Sequence, residues 1–348
     1  MPLTMDGGRI PPRWAAEKNL RAADISRESH PPEERLRIAL INNMPDPALE
    51  DTESQFFSLL EKAGGDLPVS IKLFSLPGIP RGEFGRQHVN DFYSSTENIS
   101  REKFDGAIIT GTEPHHQDMR DEPYWRALGD VMDWAAQETT SAVLSCLAAH
   151  AGVLYSDGIL RHPLREKTLG VFAHERACDH PLLRGTPDRI PIPHSRWNEV
   201  RENELVSHGY TILTKSVDSG ADMFVKQMRR SLFVHFQGHP EYAAKTLLKE
   251  YRRDIKRFLR REREIYPALP QGYFDAATET LLSDFQKQAT ADPREEQMAS
   301  FPEAAISSTL RNSWNESAAR IYRNWLELLV SKKAKAAAPP SMVRAGRE

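Results

Sequence analysis

Short apolar segments alternate with longer amphipathic segments along the first half of this sequence. Strands are predicted at 36–41, 69–74, 107–110 and 141–145, each bounded by turn residues. Helices are predicted between them, from about 52 to 64, over 124–138 and over 147–155, where apolar residues recur at helical spacing. Strands that alternate with helices form a parallel sheet covered on both faces. The pattern therefore predicts an α/β fold, a mostly parallel sheet flanked by helices.

The second half of the chain continues this architecture with closer-spaced elements. Strands are predicted at 210–214, 223–225 and 232–236 as a mixed part of the sheet, and helices at 241–264 and 307–332. Residues 76–102 and 265–300 show no clear period and are predicted to be irregular. We expect a flexible N-terminal arm over 1–34, a single domain with a C-terminal helical extension over 35–332, and a disordered tail over 333–348.

Composition excludes several classes of protein. With a net charge of −3, nothing in the overall balance favours nucleic acid or an anionic membrane. The chain has only two cysteines, Cys146 and Cys178, which argues against a disulfide framework and fits a reducing compartment. Neither a signal peptide nor a run of about 18 apolar residues is present. We therefore expect a soluble cytoplasmic protein.

Cys146 is the first candidate for chemistry, because it stands between the predicted strand at 141–145 and the predicted helix at 147–155. Such a turn raises one side chain above the sheet edge, and a helix N-terminus favours the thiolate. The N–H group of Leu147 could serve an oxyanion hole. A lone cysteine is equally well explained as a small buried residue, and we favour that interpretation for Cys178, which lies in a polar stretch.

His239 is the second candidate, because it follows the predicted strand at 232–236 after a flexible Gly238. Ligands bind at the ends of parallel strands, and Glu241 is close enough in sequence to orient an imidazole. Alternatively, His239 could simply cap the next helix, with Pro240 and Glu241 in its first turn.

No metal site is expected from the histidines of this chain. His115, His116 and Asp118 lie together in a predicted loop, but adjacent histidines without a further placed ligand rarely bind a metal ion.

These residues lie within a pattern that resembles the homoserine O-acyltransferases of the homoserine trans-succinylase family. The resemblance runs through collinear blocks between about 36 and 330. Matching blocks are Ile41-Asn42-Asn43-Met44-Pro45, Thr52-Glu53-Ser54-Gln55, Phe104-Asp105-Gly106-Ala107-Ile108-Ile109-Thr110-Gly111, Tyr124-Trp125, Glu166-Lys167-Thr168-Leu169-Gly170-Val171-Phe172, Pro193-His194-Ser195-Arg196, Gly238-His239-Pro240-Glu241-Tyr242, Glu250-Tyr251-Arg252-Arg253-Asp254 and Asn324-Trp325-Leu326.

The resemblance implies a class I glutamine amidotransferase-like fold, which is flavodoxin-like with three layers. It implies that Cys146 carries the acyl group as a thioester, with His239 as general base and Glu241 as its partner. It also implies substrate-binding and oxyanion-hole positions, namely Lys167, Ser195 and Arg253 for the substrate and the backbone of Leu147, Gly111 and Thr112 for the oxyanion. Lys167 and Arg253 could also be ordinary surface cations and Ser195 a turn residue, although the planar fork of Arg253 suits an α-carboxylate.

The same resemblance implies acyl-CoA as co-substrate without a further cofactor, L-homoserine as acceptor and a homodimer. His115 falls on the position that selects the acyl group, where glycine accompanies succinyl and glutamate accompanies acetyl transfer. A histidine cannot repel a succinyl carboxylate as glutamate does, so succinyl-CoA is favoured over acetyl-CoA.

Three departures from the family pattern widen the choice of function. Asp46 replaces a usual lysine, the residues after Cys146 differ, with His150 in place of glutamine, and the loop after Gly111 diverges. Serine or another hydroxy amino acid therefore remains an alternative acceptor. A glutamine amidotransferase-like Cys–His–Glu hydrolase and a non-catalytic binding module remain alternative functions.

Overall fold

A central sheet organises the chain. The computed structural model describes residues 3–6, 9–18, 31 and 34–337. In this part of the chain, nine strands form the central sheet, in the order β1-β3-β2-β5-β6-β13-β12-β9, with β4 beside β3. Its strands are β1 (Leu3–Met5), β2 (Leu36–Ile41), β3 (Val69–Ser75), β4 (Ser94–Ser95), β5 (Gly106–Thr110), β6 (Ser141–Ser145), β9 (Thr211–Ile212), β12 (Met223–Met228) and β13 (Ser231–Phe236). Only the pairings of β12, with β13 and β9, are antiparallel among these strands. The predicted mostly parallel α/β sheet is confirmed.

Helices cover both faces of the sheet. The described helices are α1 (Pro12–Glu17), α2 (Asp46–Gly64), α3 (Glu83–Phe92), α4 (Trp125–Glu138), α5 (Leu147–Asp157), α6 (Glu202–Ser207), α7 (Thr246–Leu259), α8 (Ala276–Ala291), α9 (Glu303–Thr309) and α10 (Asn315–Ala337). Alternate residues of β2 point to opposite faces: Ile38 and Leu40 join the core under α2 and α10, whereas Ala39 and Ile41 join the core under α4 and α5. The result is a three-layer arrangement.

A second, antiparallel sheet lies beside the central one. Its order is β11-β10-β7-β8, formed by β7 (His162–Arg176), β8 (Arg189–Glu199), β10 (Thr214–Ser216) and β11 (Gly220–Ala221). We call the paired β7 and β8 the ribbon. The ribbon was not predicted from the sequence, because many of its side chains are exposed or half-buried and form no apolar run.

Several predicted helix boundaries were wrong. The helix expected from 52 begins at Asp46, since Pro47 sits in its first turn, where proline needs no partner for its nitrogen. The segments predicted to be irregular contain the whole of α3 and of α8. The helix expected over 307–332 is instead α9 followed by α10, with a break that places Trp314 in the core.

The ends of the described chain are partly packed. Leu3–Met5 pairs with β3, and Trp14 of α1 is buried against Phe57 with ring centroids 5.4 Å apart, where the sequence predicted a flexible arm. The helix α10 continues five residues into the predicted disordered tail, and Lys333 Nζ lies 3.0 Å from Asp105 Oδ2. Residues 1–2, 7–8, 19–30, 32–33 and 338–348 of these two segments lie outside the described residues. Within the described part, no helix is long and apolar enough to span a bilayer.

Candidate active site

Cys146 occupies a strained turn between β6 and α5. Its φ of 49° and ψ of −107° are unusual for a residue with a side chain, and its backbone N–H donates to the carbonyl of Phe236 over 2.8 Å. The approach of Gly111 to this turn is so close that a Cβ there would lie 2.4 Å from the Cβ of Leu147. The turn therefore presents a half-buried thiol at the carboxyl edge of the sheet, as the sequence predicted.

His239 reaches the same edge from the neighbouring strand. Phe236, the last residue of β13, is paired with Ser145 of β6, and the chain then turns through Gly238. A Cβ at Gly238 would lie 2.7 Å from Ile192 Cγ2, so glycine is needed for this approach to the ribbon. The N–H group of His239 donates to the carbonyl of Pro193 over 2.8 Å. The histidine loop is thus held between the central sheet and the ribbon.

Glu241 and Cys146 set the electrostatics of His239. The imidazole Nδ1 lies 2.8 Å from Glu241 Oε1, which also accepts a 3.1 Å hydrogen bond from Ser145 Oγ. Burial favours the neutral imidazole, but the charges of Cys146 and Glu241, with a hydrogen bond to each, raise the pKa of His239 well above its usual value. Tyr242 stacks on the imidazole with centroids 4.0 Å apart. This arrangement can activate a thiol nucleophile and hold the imidazole in place.

The three predicted substrate-binding residues come together on the facing wall, which is formed by the ribbon and α7. Lys167 Nζ lies 2.6 Å from Asp254 Oδ2 and 3.7 Å from Glu250 Oε2. Ser195 Oγ donates to Glu250 Oε2, and Arg253 is half-exposed next to Asp254. We call these five residues the polar wall.

Two members of the polar wall, Glu250 and Asp254, were not predicted from the sequence as site residues. Asp254 is 1% exposed and lies within the apolar stripe of α7, between the buried residues Tyr251 and Ile255. A carboxylate placed on the buried side of a helix needs a charged partner. That break in the stripe was the available signal, and the partner proves to be Lys167.

A basic cleft lies between the cysteine turn and the polar wall. It has a cavity volume of about 350 Å³ and is lined by Cys146 and His239. All six oxyanion and substrate positions predicted from the sequence also line it, namely Gly111, Thr112, Leu147, Lys167, Ser195 and Arg253. Among the described lining residues are six Lys or Arg side chains, namely Arg161, Lys167, Arg196, Arg253, Arg257 and Arg263. They outnumber the three carboxylates, which are Glu113, Glu241 and Glu250. Trp197 is 43% exposed beneath the guanidinium of Arg263, 4.8 Å from its ring centroid. The cleft therefore suits an anionic ligand.

Two residues singled out in the sequence lie elsewhere. His115 is exposed and does not line the cleft, and its backbone N–H donates to Glu122 Oε1 over 2.6 Å. Asp46, the departure from the usual lysine, accepts a 2.7 Å hydrogen bond from the N–H of Gly82 and also stays outside the cleft lining.

His150, another departure, is buried in the cleft wall. Its Nε2 lies 2.9 Å from Gln237 Oε1, an oxygen that accepts a hydrogen bond from the backbone of Val200. Burial, followed by the charge of Arg196, lowers the pKa of His150 to about 3. The residue is therefore neutral at physiological pH.

A buried cluster behind the cleft has the ligand types of a metal site. Ligand atoms of His174, His194 and Asp222 lie within 4.8 Å of one another. However, Arg196 Nε contacts His194 Nδ1 at 3.3 Å, and a guanidinium disfavours a cation beside it. Asp222 Oδ1 instead accepts a 2.7 Å hydrogen bond from the N–H of Gly238. The cluster thus supports the loop that carries His239.

Comparison with known proteins identifies relatives over almost the whole chain. A family model described as homoserine O-succinyltransferase matches residues 14–336. A homoserine O-succinyltransferase of Methylorubrum extorquens is 42% identical over 93% of this chain and 96% of its own length. Another, from Rhodopseudomonas palustris, is 41% identical over 85% of this chain and 89% of its own length.

Similarity to solved structures is weaker. A glutamine amidotransferase from Thermotoga maritima is 13% identical, with a TM-score of 0.45, and the match covers 85% of this chain and 98% of that chain. A glutamine amido transferase from Methylobacillus flagellatus is 15% identical, with a TM-score of 0.46, over 85% of this chain and 95% of that chain. Neither similarity bears on what this chain does.

Proposed function

The chain belongs to the homoserine O-succinyltransferase family, and we propose that it transfers a succinyl group from succinyl-CoA to the hydroxyl of L-homoserine. The names of its relatives support homoserine acylation, which also fits methionine biosynthesis. The observation that carries the mechanism is the position of Cys146 on a strained turn, beside the His239–Glu241 pair in a basic cleft.

In the first half-reaction, the Cys146 thiolate attacks the thioester carbonyl of the donor. The N–H group of Leu147, at the start of α5, has no acceptor within the helix and supports an oxyanion, together with the backbone of Gly111 and Thr112. The carbon–sulfur bond to coenzyme A breaks, and the departing thiolate takes a proton from the His239 imidazolium. A succinyl thioester remains on Cys146.

In the second half-reaction, homoserine occupies the polar wall. Arg253 binds its α-carboxylate and Glu250 accepts hydrogen bonds from its ammonium group. Neutral His239 takes the hydroxyl proton, the alkoxide attacks the thioester carbonyl, and the Cys146 thiolate leaves. Cys146 is then again a thiolate and His239 an imidazolium, as they were before the first half-reaction. Two half-reactions through one intermediate predict ping-pong kinetics.

Intact-protein mass spectrometry tests this proposal. After incubation with succinyl-CoA, the protein should gain the mass of one succinyl group on Cys146, and L-homoserine should remove it with formation of O-succinylhomoserine. Cys146→Ala should stay unlabelled, whereas Cys178→Ala, the matched control outside the cleft, should label normally. Labelling of Cys146→Ala would contradict the covalent mechanism.

Two assays separate the proposal from its alternatives. Hydrolysis of glutamine without any acyl-CoA would favour the amidotransferase-like hydrolase. Removal of the label by serine in preference to homoserine would change the acceptor but preserve the intermediate. The homodimer stays a prediction of the resemblance, and the cytoplasmic location stays a prediction of the composition.

A further inference from the structure

Arg161 lies in the cleft and has no bonding partner among the residues that the structure describes. Within the described part of the chain, no hydrogen bond or ion pair engages its guanidinium, although the residue is half-buried and lines the cavity with Cys146 and Leu147. Every other cleft arginine except Arg263 has a carboxylate or carbonyl partner among the described residues, and Arg263 stacks over an indole. A guanidinium has five N–H donors, so Arg161 has binding capacity that the protein itself does not use.

Three of the four carboxylate oxygens near Arg161 bond to other groups, whereas Glu122 Oε2 has no hydrogen-bond partner among the described residues. Asp118 binds Arg120 through both of its oxygens, at distances from 2.6 to 3.0 Å. Glu122 Oε1 accepts two backbone hydrogen bonds of 2.6 Å from residues 115–116. Both carboxylates influence Arg161 through charge alone. They therefore leave the guanidinium available to an incoming anion.

Arg161 is also separate from the polar wall that receives the amino acid. Its charge acts on Tyr124, Glu122 and Asp118, whereas Arg253 interacts with a different group of acidic and phenolic side chains. Its charge also acts on His150 of α5, the helix that begins after Cys146, so we assign it to that side of the cleft. An acyl group on Cys146 would have the Arg161 guanidinium on its own side of the cleft, while Arg253 on the polar wall would bind the acceptor.

We propose that Arg161 binds the distal carboxylate of the succinyl group, both in the donor and in the acyl-enzyme, and thereby selects a dicarboxylic over a neutral acyl chain. The inference rests on the proposed function. A planar guanidinium pairs with a carboxylate through two parallel hydrogen bonds, a geometry that a neutral acyl chain cannot satisfy. His115, the position implied by the family resemblance, is exposed outside the cleft lining.

Donor competition tests this assignment. Arg161→Met keeps an apolar stem and removes the charge, so kcat/KM with succinyl-CoA should fall about 100-fold, while kcat/KM with butyryl-CoA, a neutral donor of equal chain length, should not fall. Arg161→Lys should recover part of the succinyl activity. Arg189→Met, at an exposed arginine of the ribbon outside the cleft lining, should change neither donor.

Two results would overturn the assignment. One is an equal loss with both donors in Arg161→Met and Arg161→Lys, and the other is a change of donor preference in His115→Ala but not in Arg161→Met.

Calorimetric binding of succinyl-CoA separates this inference from the catalytic proposal. Suppose that the wild-type protein binds succinyl-CoA without transferring its acyl group and that Arg161→Met binds it more weakly. This result would contradict the catalytic proposal but support the carboxylate site. Equal affinities of wild type and Arg161→Met would contradict the site.

Discussion

The two sides of the cleft are built in different ways. On the cysteine side, Cys146 and His239 stand at the ends of adjacent parallel strands, and His239 and Glu241 are only two residues apart. On the polar wall, Lys167 pairs with Asp254 across 87 residues, and Ser195 with Glu250 across 55. The cysteine side is therefore organised by local backbone geometry, whereas the polar wall depends on long-range packing.

This difference also separates the proposed roles. The cysteine side contains the groups that form and break bonds. The polar wall contains both cationic and anionic side chains, which suit the carboxylate and the ammonium group of an amino acid. Damage to the cysteine side should slow the chemical steps, and damage to the polar wall should weaken binding of the acceptor. Two variants test this division, and a third tests how a buried histidine on the cysteine side affects stability.

The largest effect is expected from Glu241→Gln on the cysteine side. The substitution keeps the shape but removes the negative charge beside His239 Nδ1, so the imidazole loses its orientation and its stabilised cationic form. We expect kcat to fall about 1,000-fold. Release of coenzyme A at saturating substrates measures it, and a loss below about 10-fold would show that the carboxylate is dispensable.

A smaller effect of another kind is expected from Lys167→Met in the polar wall. Asp254 is buried, and the substitution removes its 2.6 Å cationic partner. We expect kcat/KM for homoserine to fall about 100-fold, a typical consequence of an unpaired buried charge. The rate at which succinyl-CoA labels Cys146 should stay near that of wild type. A matching fall in the labelling rate would break the division between the two sides.

The smallest effect is expected from His150→Gln, which alters stability. The folded-state pKa of about 3 lies below the value of about 6.5 for an unfolded histidine. As the pH falls below about 6.5, the unfolded chain binds the proton first, so folding loses stability until the pH reaches about 3. Glutamine can still donate to Gln237 Oε1.

Urea unfolding of wild type and His150→Gln at pH 7.5 and pH 5 measures this contribution. Between these two values, the variant should lose about 2 kcal/mol less unfolding free energy than wild type. An identical loss in both proteins would show that His150 is protonated without cost in the folded state.

Much of the fold could be predicted from the sequence. The strands β2, β3, β5, β6 and β13 were predicted within one or two residues, because buried strands of a parallel sheet are short continuous apolar runs. Helix boundaries were less accurate, since Pro47 is permitted in a first helical turn although it breaks a helix elsewhere. The ribbon was missed because its polar and half-exposed side chains have no counterpart in an apolar pattern.

The candidate site divides in the same way. Cys146, His239 and Glu241 were identified by their places after predicted strands, and the structure brings them together. Lys167, Ser195 and Arg253 were identified only through the family resemblance, and their partners Glu250 and Asp254 were missed. The resemblance also implied His115 as the position that selects the acyl group, and it gave no indication of Arg161, which lines the cleft.

The sequence by itself determined the central sheet, the turn that presents Cys146 and the loop that carries His239. These features depend on apolar periodicity and on backbone conformations within a few residues, both of which can be read locally. Only the tertiary structure decided which charged groups meet across the cleft and which cleft cation has no bonding partner within the described part of the chain. Pairing between distant segments is set by the packing of the whole chain, and a charged side chain looks the same in sequence whether its partner is a carboxylate, water or a ligand.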